Sequence, residues 1–133
     1  MKTTTTWKKD LEFESRQEHN AISLDGHRKH GFGPKGLLLS GLAGCSGVDV
    51  VEILEKMRIQ MESFEMDTEA IVAEDHPRVF KKIHIIYKIK TDPVNEDKVR
   101  KAIDLSLDKY CGVSAMLKKN SPITYKLIIE PLT

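Results

Sequence analysis

The sequence predicts an α+β fold in which antiparallel sheets wrap around one long, buried central helix. Two observations carry this. A strongly apolar stretch from Leu37 to Met57 follows Pro34, a residue suited to the first helical position because its missing N–H has no partner to lose there. On both sides lie short β-branched, alternating segments separated by turn residues. The resulting order is strands, long helix, strands, helices, strand, which is an α+β layout and not an alternating parallel one.

From the N-terminus, Thr3 to Leu24 reads as a strand meander, carried by Thr3-Thr-Thr-Thr-Trp7, Leu11-Glu-Phe13-Glu and Ala21-Ile22-Ser-Leu24. Asp25-Gly26 signals a turn, and His27 to Gly33 a loop rich in charge and glycine. The central helix is apolar nearly all round in its first half (Leu37, Leu38, Leu39, Leu42), which predicts burial at a domain centre or a dimer interface. Its second half is amphipathic and closes on Lys56 and Arg58, cations that suit a helix C-terminus. Phe64–Glu74 and Val79–Lys90 then read as a hairpin around Glu74-Asp-His-Pro77. Asn95 is a plausible N-cap for a helix from Glu96 to about Lys109, with the stripe Val99, Ala102, Ile103, Leu107 and Tyr110. A short apolar segment, Val113–Leu117, and a strand, Ile123–Ile129, complete the chain.

Size and charge narrow the function. A chain of 133 residues is expected to form one domain, 1–133. Lysine and arginine (21) nearly balance aspartate and glutamate (20), so no large field points at nucleic acid or an anionic membrane. Met1-Lys-Thr-Thr-Thr-Thr-Trp7 lacks the apolar region of a signal peptide. No apolar run approaches the roughly 18 residues of a membrane span. The expectation is a soluble, cytoplasmic protein with no nucleic-acid or membrane partner.

Cys45 and Cys111 are the two cysteines. In a reducing compartment they are not read as a structural bridge, and two buried small hydrophobes is the plain alternative. Their settings argue for more. Cys45 lies in Ser40-Gly-Leu-Ala-Gly-Cys-Ser-Gly-Val48, where Gly41, Gly44 and Gly47 recur every third residue. Each costs about 1 kcal/mol against alanine inside a helix. Either another backbone packs closely there, or the helix breaks and Cys45 starts a fresh segment whose amide dipoles favour its thiolate. Cys111, in Asp108-Lys-Tyr-Cys-Gly-Val-Ser114, sits at a junction between two helical segments, with Lys109 nearby. The 66-residue separation excludes a local CxxC motif. Should the two meet in space, one thiolate attacking an oxidant and the other condensing with the sulfenic acid would close a disulfide.

The run Gly33-Pro-Lys-Gly-Leu-Leu-Leu-Ser-Gly-Leu-Ala-Gly-Cys-Ser-Gly-Val-Asp-Val-Val-Glu-Ile-Leu-Glu-Lys-Met-Arg58 resembles the central helix of the OsmC-like proteins. Tyr110-Cys-Gly-Val-Ser-Ala-Met-Leu117 resembles their second cysteine motif. Element order matches over essentially the whole chain. The nearest branch is the OsmC-like proteins of poorly defined function, rather than the organic hydroperoxide resistance proteins. The resemblance implies an intertwined homodimer, with sheets wrapped around two central helices. It also implies a thiol peroxidase with Cys45 attacking a hydroperoxide and Cys111 resolving, an external dithiol reductant, and no metal or organic cofactor. Two departures accompany it. Pro34-Lys35-Gly36 stands at the helix start, where the best-studied branch carries a Glu. Lys9 and Arg16 lie in the region of that branch's activating Arg, and neither aligns with it.

Other chemistries are weaker. Among His19, His27, His30, His76 and His84, only His27 and His30 are close in sequence, and no spacing resembles a zinc pattern. A Cys-His hydrolase needs a base oriented by a third group, to which nothing in the sequence points. The Asp25–Lys35 loop lacks a phosphate-cradling pattern. Lys81-Lys82 and Lys118-Lys119 read as solvated surface. A protein of a different class, binding a small ligand in the dimer-interface pocket without turnover, is the alternative; it needs the pocket but tolerates Cys45→Ser.

Overall fold

Alternating, β-branched segments pair as the sequence predicts, in two separate three-stranded sheets. The structure, a computed structural model, describes residues Met1–Thr133, which fall into two compact units, residues 1–38 and 39–133.

The first unit is an antiparallel meander of β1 (Thr4–Lys9), β2 (Glu12–Gln17) and β3 (Asn20–Asp25). Trp7 pairs with Phe13, and Phe13 with Leu24. The loop after β3 is organised by the Asp25 carboxylate, which accepts the backbone N–H groups of His27 (2.8 Å), Lys29 (3.1 Å) and His30 (3.0 Å). The chain then returns to β3, with Phe32 N–H donating to the Ser23 carbonyl at 3.0 Å. Glycine is required at 31: a Cβ there would lie 2.6 Å from the Ser23 carbonyl oxygen.

Helix α1 (Pro34–Lys56) starts at the proline, as expected, and is continuous. It ends where Arg58 takes a left-handed conformation (φ 58°) and Ile59 N–H reaches back to the Leu54 carbonyl, a common helix stop. Continuity settles the question of the glycine run. Cys45 lies inside the helix and does not start a fresh segment. Of the three glycines, only Gly47 is tightly packed, since a Cβ there would lie 2.8 Å from Met66 Cε; Gly41 and Gly44 face open space. Within the single chain, α1 buries one stripe and not its whole surface. That stripe is Leu42, Ser46, Gly47, Val50 and Leu54, while Val48 is 58% exposed. By length and composition α1 is apolar enough to cross a membrane, contrary to the expectation that no segment would be. Its glycines and serines interrupt every apolar run yet leave the average high, and the buried stripe is what a core helix requires.

In the second unit β4 (Ser63–Val72), β5 (Phe80–Lys90) and β6 (Ile123–Glu130) form a sheet in that order. β4 and β5 are the expected antiparallel hairpin, but β5 and β6 pair in parallel, with Ile85 opposite Tyr125 and Tyr87 opposite Leu127. This departs from a wholly antiparallel sheet. Parallel neighbours need a long crossover, and residues 91–122 supply it. They comprise a 3-10 turn (Pro93–Asn95), α2 (Glu96–Leu105), one π-turn (Ser106–Tyr110) and α3 (Gly112–Lys118). Asn95 occupies the N-cap position of α2, as expected, but its side chain makes no cap bond. Asp92 instead accepts the Val94 N–H at 3.0 Å and caps the preceding turn. β5, central in its sheet, buries Ile83, Ile85, Tyr87 and Ile89, and against them lie Leu42, Val50 and Leu54 of α1 and Val99, Ala102 and Ile103 of α2. The α2 residues recur at i, i+3 and i+4, the spacing of one helix face.

Candidate functional site: a thiol pair beside a buried hydroxyl network

Cys45 and Cys111 are both free thiols within the second unit. The structure brings them together despite the 66 residues between them, close enough for the two thiols to interact. Cys45 is half-buried on α1, whereas Cys111 is only 3% exposed.

Cys111 is held from three directions. Its extended backbone (φ −77°, ψ 104°) makes it the N-cap of α3, and its Sγ accepts the Ser114 N–H at 3.3 Å. Its own N–H donates to the Ser106 carbonyl at 2.7 Å, an i to i+5 bond that closes the π-turn. Ser114 Oγ donates to the Leu107 carbonyl at 3.0 Å, pinning α3 to the same turn. Burial pushes the Cys111 thiol up to about 11; the Ser114 N–H opposes this, while Cys45 and the Asp49 carboxylate add to it. Cys111 therefore keeps its proton at neutral pH.

Beside the thiols runs a network that sequence reading missed. Ser46 Oγ lies 2.6 Å from the Tyr87 hydroxyl. Ser106 Oγ lies 2.9 Å from both Ser46 Oγ and Asp49 Oδ2, and 3.4 Å from the Ser46 carbonyl. Ser46 and Ser106 are fully buried. Burial also pushes Tyr87 up to about 12, and its ring stacks on Phe64 and meets Tyr125 edge-on. A signal was present: Ser46 and Asp49 fall one and four residues after Cys45, so polar groups interrupt an apolar helix face beside the cysteine.

The lysines distribute otherwise than their sequence positions suggested. Lys109 lies over the Tyr110 ring, 5.3 Å from its centroid. Lys118 is not simply solvated: its Nζ donates to the Leu107 carbonyl and sits 3.3 Å from Asp108 Oδ1. In the first unit, Glu12, Asp25 and His30 offer ligand atoms within 4.8 Å of one another, a grouping the spacing of the histidines does not reveal. The Asp25 oxygens there are engaged by three backbone N–H groups, which hold its carboxyl below the usual range, His27 contributing most.

Comparison with known proteins places this architecture. Protein YhfA of Escherichia coli K12 is 33% identical over 128 residues, 94% of this chain and 95% of that protein. An OsmC-like protein from Mycoplasma pneumoniae superposes with a TM-score of 0.84 at 21% identity, covering 96% of this chain and 95% of that one. The organic hydroperoxide resistance protein OhrB of Bacillus subtilis shares the fold, with a TM-score of 0.64 at 17% identity over 95% and 96% of the two chains. The family model for OsmC-like proteins matches residues 26–126, and the chain belongs to the OsmC-like family.

Proposed function

We propose that the chain is a thiol-dependent peroxide reductase that acts on organic hydroperoxides or hydrogen peroxide, with Cys45 attacking and Cys111 resolving. The observation that carries this is the proximity of two free thiols of unlike setting. Cys45 is the more accessible; Cys111 is buried and holds its proton. In the first step the Cys45 thiolate attacks a peroxide oxygen. The O–O bond breaks, Cys45 becomes a sulfenic acid, and the alkoxide leaves and takes up a proton as alcohol. In the second, Cys111 sulfur attacks Cys45 Sγ, the S–O bond breaks, and the hydroxide leaves as water with the Cys111 proton. An external dithiol then reduces the disulfide. The fold shared with a hydroperoxide resistance protein supports the substrate class. A homodimer in a reducing compartment belongs to the same reading.

A second reading keeps the pocket and drops the chemistry. It is favoured by Pro34-Lys35-Gly36 at the helix start and by the Asp49 carboxylate, which adds to the upward shift of the Cys111 thiol. An open groove of about 490 Å³ along Gly44, Gly47, Val48, Val51, Phe64 and Met66, with Glu52 and Glu55 also lining it, would hold a small ligand with an apolar part.

The deciding experiment is peroxide consumption with excess dithiol, comparing an alkyl hydroperoxide with hydrogen peroxide. Turnover that vanishes in Cys45→Ser, and stops at a trappable sulfenic acid in Cys111→Ser, supports the peroxidase. No turnover above the reductant background overturns it in favour of the binding module.

A further inference from the structure

Ser106 bonds both to Cys111 and to the helix that carries Cys45. Its carbonyl accepts the Cys111 N–H at 2.7 Å. Its hydroxyl, fully buried, reaches α1 at Ser46 Oγ and Asp49 Oδ2, both at 2.9 Å. Ser46 follows Cys45 directly and Asp49 lies one helical turn beyond it. One residue therefore links the backbone that carries Cys111 to the helix that carries Cys45. The link sits at the start of a π-turn, a rare element found often at functional sites. A π-turn inserts an extra residue into the helical ladder, so its register depends on outside contacts more than that of a regular α-helix.

We propose that Ser106 is a positioning residue: its hydroxyl latches the π-turn to α1 and sets how readily the Cys45–Cys111 disulfide closes. The claim deepens the peroxidase reading, on which its biological use rests, but concerns only the closure step. Closure is intramolecular, so its rate and equilibrium follow from how well the two sulfurs are held in approach. Asp49 is the charged end of the latch, since a hydrogen bond to a carboxylate is stronger than one between hydroxyls. Ser106 has one hydroxyl proton facing these acceptors, so Ser106→Ala removes the latch while adding no bulk. The Ser46 hydroxyl keeps Tyr87 as a partner, and Asp49 is partly exposed and reaches water.

The test equilibrates wild type, Ser106→Ala, Ser106→Thr and Asp49→Asn in reduced and oxidised glutathione and measures the effective concentration of the pair. Thermal unfolding and Cys45 alkylation rate are read in parallel. The latch predicts a fall of about tenfold in Ser106→Ala. It further predicts a smaller fall in Asp49→Asn, recovery in Ser106→Thr and an unchanged Cys45 alkylation rate. An effective concentration in Ser106→Ala within twofold of wild type overturns it. So does a fall that Ser106→Thr does not restore, which would mark a merely structural serine. A second arm adds one equivalent of alkyl hydroperoxide and follows disulfide and sulfenic acid. If wild type forms no disulfide and Cys111→Ser no sulfenic acid, the peroxidase reading fails, while the glutathione arm still decides the latch.

Discussion

The two cysteines sit in backbones of opposite character. Cys45 lies in the middle of a continuous 23-residue helix, where the regular ladder fixes the backbone and the thiol is half-buried. Cys111 lies between a π-turn and a seven-residue helix, in extended conformation, with its sulfur spent on capping that helix. One thiol is placed by regular structure and is open to reagents. The other is placed by a junction and is hidden. The proposed reaction, in which the pair meets an oxidant and then closes a bond, is served by that asymmetry.

The sharpest break of this comparison is chemical. The rise of Cys111 from 9.0 to about 11 lowers its thiolate population about a hundredfold, and burial adds to the protection. Alkylation by iodoacetamide near neutral pH, followed by peptide mapping, is expected to label Cys45 first and Cys111 far more slowly. Equal labelling would erase the distinction.

Next in size is the anchor beneath Cys45. Tyr87→Phe removes the 2.6 Å bond to Ser46 and is expected to cost about 1 kcal/mol in denaturant unfolding. Tyr87 is raised from 10.0 to about 12. A raised group stabilises the fold fully below its unfolded value, so this contribution is present below about pH 10 and is lost as pH rises through about 12. Ultraviolet titration of the phenolate, with and without Tyr87, checks both the value and the loss.

A stability difference no larger than that of Tyr87→Phe separates the two backbones. Cys111→Ala removes the cap on Ser114 N–H and is expected to cost about 1 kcal/mol, most of which Cys111→Ser avoids because a hydroxyl caps as well. Cys45→Ser caps nothing and is expected to shift stability by about 0.5 kcal/mol or less. Equal costs at the two positions would contradict the different roles of the two backbones.

Much of this was legible in the residues. Alternation marked the strands, Pro34 the start of α1, and glycine beside Cys111 the helix junction. What remained hidden is physical in each case. Residues 106–110 continue the apolar periodicity of α2, so nothing local distinguishes a π-turn from the extra helical turn expected through Lys109. The parallel pairing of β5 with β6 depends on how residues 91–122 cross over, which strand patterns do not encode. Ser46, Asp49 and Ser106 read as ordinary polar residues until the fold places them side by side. The glycine run suggested a break because its cost in a helix is real, yet Gly41 and Gly44 are accommodated without one.

The most direct measurement treats reduced protein with one equivalent of an alkyl hydroperoxide, blocks free thiols and maps the peptides without reduction. The account predicts one intramolecular disulfide joining Cys45 to Cys111, formed in step with release of one equivalent of alcohol. Unmodified thiols, or overoxidised Cys45 with Cys111 still free, would contradict it.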